Sequence, residues 1–212
     1  MRRVDRGPWP VDSDGHERHF NDHPRAYRKA KPDLLARLGG YCSYCERVGD
    51  LHVEHIVPKE KSPDLIGEWS NFLLGCSNCN SIKRDRNDSR HGYIWPDTDD
   101  TEVAFEYLVD GIVRVRPGLS EELNSRADRL YDLVGLGRTP SSHPEASDLR
   151  WLKRREAWRV ATRAKRSVSD GANGDIVIEL AKATGFCSVW ITVFADDAQF
   201  CDRLRQCFPG TR

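Results

Sequence analysis

A chain of 212 residues fits one moderate domain or a small catalytic core with an appended region, and 38% hydrophobic residues with six Trp exclude the apolar poverty of disorder. Its 33 basic and 33 acidic residues cancel, which excludes long-range attraction of the whole molecule for a polyanion; any nucleic-acid contact must be local. No stretch approaches the roughly 18 consecutive apolar residues of a membrane span, and no apolar signal region follows Met1-Arg2-Arg3, so no membrane contact and a cytoplasmic address are expected.

Residues up to about Asn21 are rich in Gly, Pro, Asp and Arg, which predicts an irregular arm. Pro32 is best placed in the first turn of a helix running to about Leu38, where Gly39-Gly40 stops it. Alternation around Leu51 and Val53 predicts a strand, the apolar run after Asn71 a second, and Ser77 to Arg86 a helix, giving a β-β-α order. Asp110-Gly111 supplies the positive φ angles of a tight hairpin turn between Ala104–Val109 and Ile112–Val115. Leu119 to Leu136 reads as a helix capped by Ser120, Arg138 to Ser147 as a loop, and Leu149 to about Ser167 as a second long helix. Asp175 to Thr184 and Asp196 to Phe208 also read as helices, whereas periodicity leaves the type of Ser188 to Phe194 open.

The charges are segregated. Asp97 to Asp110 holds six acidic residues and no Lys or Arg, and Arg150 to Arg166 holds eight basic residues against the single Glu156. Each is either a solvated face or a face for phosphate or a partner.

Cys42-Ser-Tyr-Cys45 and, after thirty intervening residues, Cys76-Ser-Asn-Cys79 offer four thiolates in two knuckle-like pairs. Two-residue spacing lets both sulfurs of a pair face one ion, and two pairs complete the tetrahedral shell that structural zinc prefers. Such usage suits a reducing compartment better than a disulfide framework. Cys187, Cys201 and Cys207 lack a paired spacing and read as ordinary buried thiols. Between the knuckles the strand carries Glu54 and His55, and the β-β-α order brings His55 near Asn80 on the helix. A neutral imidazole of pKa roughly 6.5 can take a proton from water at neutral pH. His52 has no comparable context and reads as structural. Lys83, Arg84 and Arg86 are expected to hold phosphates, with a solvated surface as the plainer reading.

Cys-x-x-Cys, Glu54-His55-Ile56-Val57-Pro58, Asn71 and Cys-x-x-Cys-Asn80-x-x-Lys83 resemble the HNH endonuclease family with its ββα-metal fold. The resemblance implies His55 as general base, Glu54 and Asn80 as ligands of a catalytic divalent ion, and Asn71 as the residue that orients the active-site loop. This sequence departs from the family in three places: Asp or His is commoner than Glu54, Asn80 replaces the final His, and Lys59 to Asp64 lacks the usual Gly-Gly. A carboxylate and an amide oxygen favour magnesium or manganese over zinc at that position. The fold expected is therefore α+β: an HNH core stapled by the four-cysteine zinc site over residues 34–96, preceded by an arm and the start of the first helix (1–33) and followed by a β-hairpin and a mainly helical region (97–212).

Tyr41-Cys-Ser-Tyr-Cys-Glu46, Val53 to Lys59, Trp69 to Cys76, Phe105-Glu-Tyr-x-x-Asp110-Gly-Ile112 and Gly185 to Phe194 are similar to the PtuB-like HNH nucleases of Septu and retron-linked anti-phage defence. That resemblance implies DNA as substrate and an ABC-type ATPase protein, PtuA-like, as partner. Two other readings stay open at this stage: a non-catalytic zinc-ribbon module for nucleic acid or protein, and a stand-alone restriction or mobile-element nuclease using the basic helix from Arg150 as its own DNA clamp.

Overall fold

The computed structural model describes residues 1–144, 147–171 and 173–212. The fold is α+β, with two small antiparallel sheets set among helices. Helix α1 (Lys31–Leu38) follows a 3₁₀ turn and has Pro in its first turn, where a missing N–H costs nothing. Its Leu34 and Leu38 are fully buried, each stabilising by about 1.5–3 kcal/mol. Strands β1 (Leu51–His55) and β2 (Phe72–Cys76) pair from Leu51↔Cys76 to His55↔Phe72.

Helix α2 (Ser77–Lys83) starts directly after β2. It is shorter than expected because Arg84 adopts φ 47°, a left-handed conformation that ends the helix. The first pair of strands and this helix form the expected β-β-α unit.

A short helix α3 (Thr101–Ala104) leads into strands β3 (Phe105–Tyr107) and β4 (Val113–Val115), which pair as predicted. Asp110 (φ 68°) and Gly111 (φ 75°) lie in the turn. Gly111 is required twice over, since a Cβ there would also come within 2.7 Å of the backbone at Trp151 and Arg155. Helix α4 (Glu121–Leu133) is capped by the Ser120 hydroxyl, which accepts from the Leu123 N–H. Residues 138–144 of the predicted loop are irregular, and Glu145 and Ala146 lie outside the described residues.

Four helices close the chain: α5 (Arg150–Ser169), α6 (Gly174–Thr184), α7 (Cys187–Val193) and α8 (Ala198–Cys207). The apolar run whose type periodicity left open is α7, which packs against α5 and α8. One core joins the N-terminal arm, α1, both sheets and α4, through Phe20, Leu34, Phe72, Trp95, Phe105 and Leu130. A second gathers Tyr41 with Ala161, Ala181, Trp190, Phe200 and Leu204 of the last four helices. The N-terminal arm has only isolated bridges, as expected, yet it is part of the core: Val4 bridges to Thr211, and the Trp69 indole donates to the Gly7 carbonyl at 3.0 Å.

Candidate functional site

The β-hairpin and α2 bring the two knuckles together. Cys42 and Cys45 sit in the turn before β1, Cys76 ends β2 and Cys79 lies in the first turn of α2. All four are buried, and their sulfurs lie within 4.8 Å of one another. The separations Cys42–Cys79 (3.7 Å) and Cys45–Cys76 (3.6 Å) are close to the edge of about 3.8 Å of a tetrahedron whose metal–sulfur bonds are about 2.3 Å. The four cysteines can therefore hold a structural metal ion. The Cys76 N–H donates to the Cys42 sulfur, an ordinary device for spreading thiolate charge.

Arg150 was read only as one of a basic run, but its side chain is buried and donates from Nη1 to the Cys79 sulfur at 3.1 Å. Its other N–H groups reach Asp148 and the Val134 and Gly135 carbonyls, which close α4. Nothing in the sequence pattern marks it out, because its partner lies 71 residues away.

Glu54 and His55, at the end of β1, and Asn80, on α2, line one open cleft of about 480 Å³ together with Lys59, Lys83 and Arg84. His55 Nε2 lies 3.0 Å from the Ile66 carbonyl oxygen. A carbonyl only accepts, so Nε2 carries the hydrogen and Nδ1 keeps its lone pair. The ring is wedged edge-on between Tyr27 and Phe72, with centroids 4.6 and 5.3 Å away. Burial holds the imidazole below its ordinary pKa, and the charges of Lys59 and Lys83 add to this, against the opposing bond to Ile66.

Asn71 organises the loop that supplies Ile66. Its Oδ1 accepts from the Val57 N–H at 2.8 Å, and its Nδ2 donates to the Val57 and Leu65 carbonyls. Asn87, four residues past the end of α2 and without a mark in the sequence pattern, donates to the Ile56 carbonyl. Both amides bind the chain just after His55, Asn71 at Val57 and Asn87 at Ile56.

Asn80 Oδ1 is buried and has no hydrogen-bond partner. Gly75 leaves room for it: a Cβ at that position would sit 2.5 Å from this oxygen and 3.1 Å from Glu54 Cβ. An unpaired acceptor thus lies beside a buried carboxylate at the cleft.

Lys83 departs from the sequence reading. It was expected on the surface, holding phosphate, but its side chain is 1% exposed, with Nζ 2.9 Å from Glu54 Oε1 and 2.8 Å from the His55 carbonyl. Two of the three donors of this buried ammonium are thus engaged by protein acceptors, although Lys83 still lines the cleft. Burial pushes the Glu54 carboxyl above the ordinary carboxylate range, and Lys83 opposes that shift. Arg84 is exposed and lines the cleft. Arg86 is exposed but does not line it; its guanidinium donates to the Ile82 and Asp132 carbonyls.

Both charge runs also change meaning in three dimensions. Arg150 and Arg154 are buried and bonded to protein acceptors, so the basic stretch is not one continuous clamp. In the acidic stretch Asp97 is shared by Arg6 and Arg90, Asp99 pairs with Arg126, Glu102 with Arg205 and Glu106 with Arg114. Its repulsion toward a polyanion is correspondingly reduced. No helix among the described residues is long and apolar enough to cross a membrane.

Comparison with known proteins agrees with this geometry. The model of the HNH endonuclease family matches residues 42–86, from the first knuckle cysteine to just past α2. The Septu protein PtuB of Bacillus thuringiensis is 34% identical over 86 residues, a match covering 37% of this chain and 34% of that protein. The chain thus spans about a third of the length of the curated relative it matches. Since the family match takes in the four clustered cysteines and the whole β-β-α unit, residues 42–86 are an HNH endonuclease-family region, and the chain is PtuB-like over the stretch that aligns.

Proposed function

We propose that this chain is a metal-dependent endonuclease that hydrolyses phosphodiester bonds of DNA. By its likeness to a Septu protein, it would act as the nuclease of an anti-phage defence system with an ABC-type ATPase partner. The observation that carries the catalytic part is the state of His55: one ring nitrogen is tied to a carbonyl, and the other keeps a lone pair in a cleft shared with Glu54 and Asn80.

In this reading His55 Nδ1 takes the proton of the attacking water, and the lowered pKa keeps the imidazole neutral and ready at neutral pH. The Ile66 carbonyl and the Tyr27 and Phe72 rings fix its orientation, so little freedom is lost on reaction. Arg84 and Lys59 would hold phosphate oxygens at the cleft mouth. Asn71 acts on the reaction only through the loop it pins.

Two metal sites belong to the proposal. The sulfur spacing fits zinc on Cys42, Cys45, Cys76 and Cys79 as a structural ion. The unpaired Asn80 oxygen and the adjacent Glu54 carboxylate fit magnesium or manganese, hard ions that take oxygen ligands and fill the remainder with water and phosphate. When bound, such an ion offsets the charge that develops on the scissile phosphate.

One observation favours a second reading, a non-catalytic nucleic-acid-binding module. The Lys83 ammonium already neutralises Glu54, supplying charge that a bound cation would otherwise supply. The His55→Ala variant separates the two. Plasmid cleavage with magnesium or manganese, and with the ATPase partner present, should fall by at least about 10²-fold while zinc content and thermal melting stay parental. A folded, zinc-loaded variant that cuts at the parental rate would leave the non-catalytic reading in front.

A further inference from the structure

Helices α5 and α6 leave an apolar groove of about 390 Å³ between them that shares no lining residue with the nuclease cleft. Val160 and Ala164 line it from α5, and Ile176 and Leu180 from α6. Each pair is spaced by four residues, so each forms an i, i+4 ridge along its helix. Ile176 is 68% and Leu180 40% exposed, whereas Val177, which also lines the groove, is buried.

The rim is basic. Arg159 and Arg163 stand one turn apart on α5, exposed to solvent. The ion pairs that α5 makes among the described residues use Arg150, Lys153 and Lys165 instead. Acidic groups on α6 that could offset this charge are engaged elsewhere: Asp175 pairs with Arg203 and Glu179 with Lys182.

We infer that this groove docks an amphipathic, acidic α-helix of a protein partner. Two i, i+4 ridges lining one trough offer a seat for the ridge of a third helix, the general geometry of helix-in-groove recognition. The aliphatic floor selects Leu, Ile, Val or Met at four-residue spacing. Arg159 and Arg163 select Asp or Glu at the same spacing along one flank, because their guanidinium groups are one turn apart and form forked bonds to carboxylates. A nucleic-acid strand would gain the two arginines but leave the aliphatic floor unmatched. The inference rests on the groove alone and holds whether or not the cleft is catalytic.

The test uses two stapled helical peptides of about 18 residues, long enough to hold a helix. Both carry leucines at i, i+4 and i+7, one with glutamates along a flank and the other with lysines in the same places. Titration calorimetry on the full, zinc-loaded chain should show the acidic peptide binding at least tenfold more tightly than the basic one. The variant Arg159→Glu/Arg163→Glu, whose changes are on the surface, should reverse that preference, and Ile176→Asp should abolish binding of both. Equal binding of the two peptides, or no binding of the acidic one, overturns the inference. Concentration-dependent dimerisation lost in Ile176→Asp would overturn it in favour of a second copy of the chain. Binding to phosphatidylglycerol vesicles lost in the same variant would overturn it in favour of a lipid surface.

Discussion

Replacing Lys83 by Met keeps most of the side-chain volume and removes the positive charge that pairs with Glu54 in the interior. In the native chain the ammonium lies 2.9 Å from Glu54 Oε1 and 2.8 Å from the His55 carbonyl, and it is 1% exposed. Removing one partner of such a buried pair costs about 3–5 kcal/mol, because the other charge is left uncompensated. That is a large share of a typical total of about 5–15 kcal/mol. Without added magnesium or manganese, Glu54 relieves the loss by binding a proton. Its carboxyl is already raised by burial, and it rises further once Lys83 is gone. A carboxyl whose folded pKa lies above its unfolded value contributes full stability below the unfolded pKa and loses it as pH rises through the folded one. The variant should therefore lie closest to the parent near about pH 4.5 and show a larger deficit at about pH 7.5. Urea unfolding at both pH values, with zinc present, measures it. Lys83→Met/Glu54→Gln should recover much of the deficit, since the amide carries no charge to strand. A Lys83→Met protein within about 0.5 kcal/mol of the parent at neutral pH, or no recovery in the double variant, would refute the reasoning. A surface lysine that held phosphate would instead leave stability alone and weaken DNA binding in a salt-dependent way.

Cys76→Ser should abolish stoichiometric zinc binding and with it the cooperative thermal transition, because structural zinc contributes on the order of 10 kcal/mol to folding in comparable small sites; metal analysis and far-UV circular dichroism read both. The pH profile of cleavage should stay flat from neutral pH to below about 6.5 and fall only at more acid pH, since burial lowers the His55 pKa and the neutral base persists. A profile whose midpoint lies above the ordinary histidine value contradicts this. For stability the sign is the same: protonation of His55 disfavours the folded state, so its contribution is present above the unfolded pKa and is lost as pH falls through the folded one. Gly111→Ala should destabilise by at least about 1 kcal/mol, since it places a Cβ on a residue at φ 75° and drives it into the α5 backbone; thermal melting measures it.

Short-range features were legible in the sequence. Two-residue cysteine spacing, the alternation before His55, the Asp110-Gly111 turn and the Ser120 cap each rest on contacts between residues close in the chain, where residue type restricts conformation directly. So the β-β-α unit, the hairpin and the long helices could be read in chain order, and the recurrence of Glu54, His55, Asn71 and Asn80 at their spacings gave the family resemblance. Only the tertiary structure could decide what the polar side chains do. Lys83 meets the His55 carbonyl 28 residues back, Arg150 meets Cys79 across 71 residues, and Arg205 reaches Glu102 across 103. In sequence all three are indistinguishable from solvated cations, because charge type says nothing about which neighbour folding supplies. The same reason explains the acidic stretch, where arginines at 6, 90, 114, 126 and 205 convert an apparent repulsive patch into internal pairs. A cation's role depends on whether folding buries it beside an acceptor, and that is set by long-range packing that no local pattern encodes.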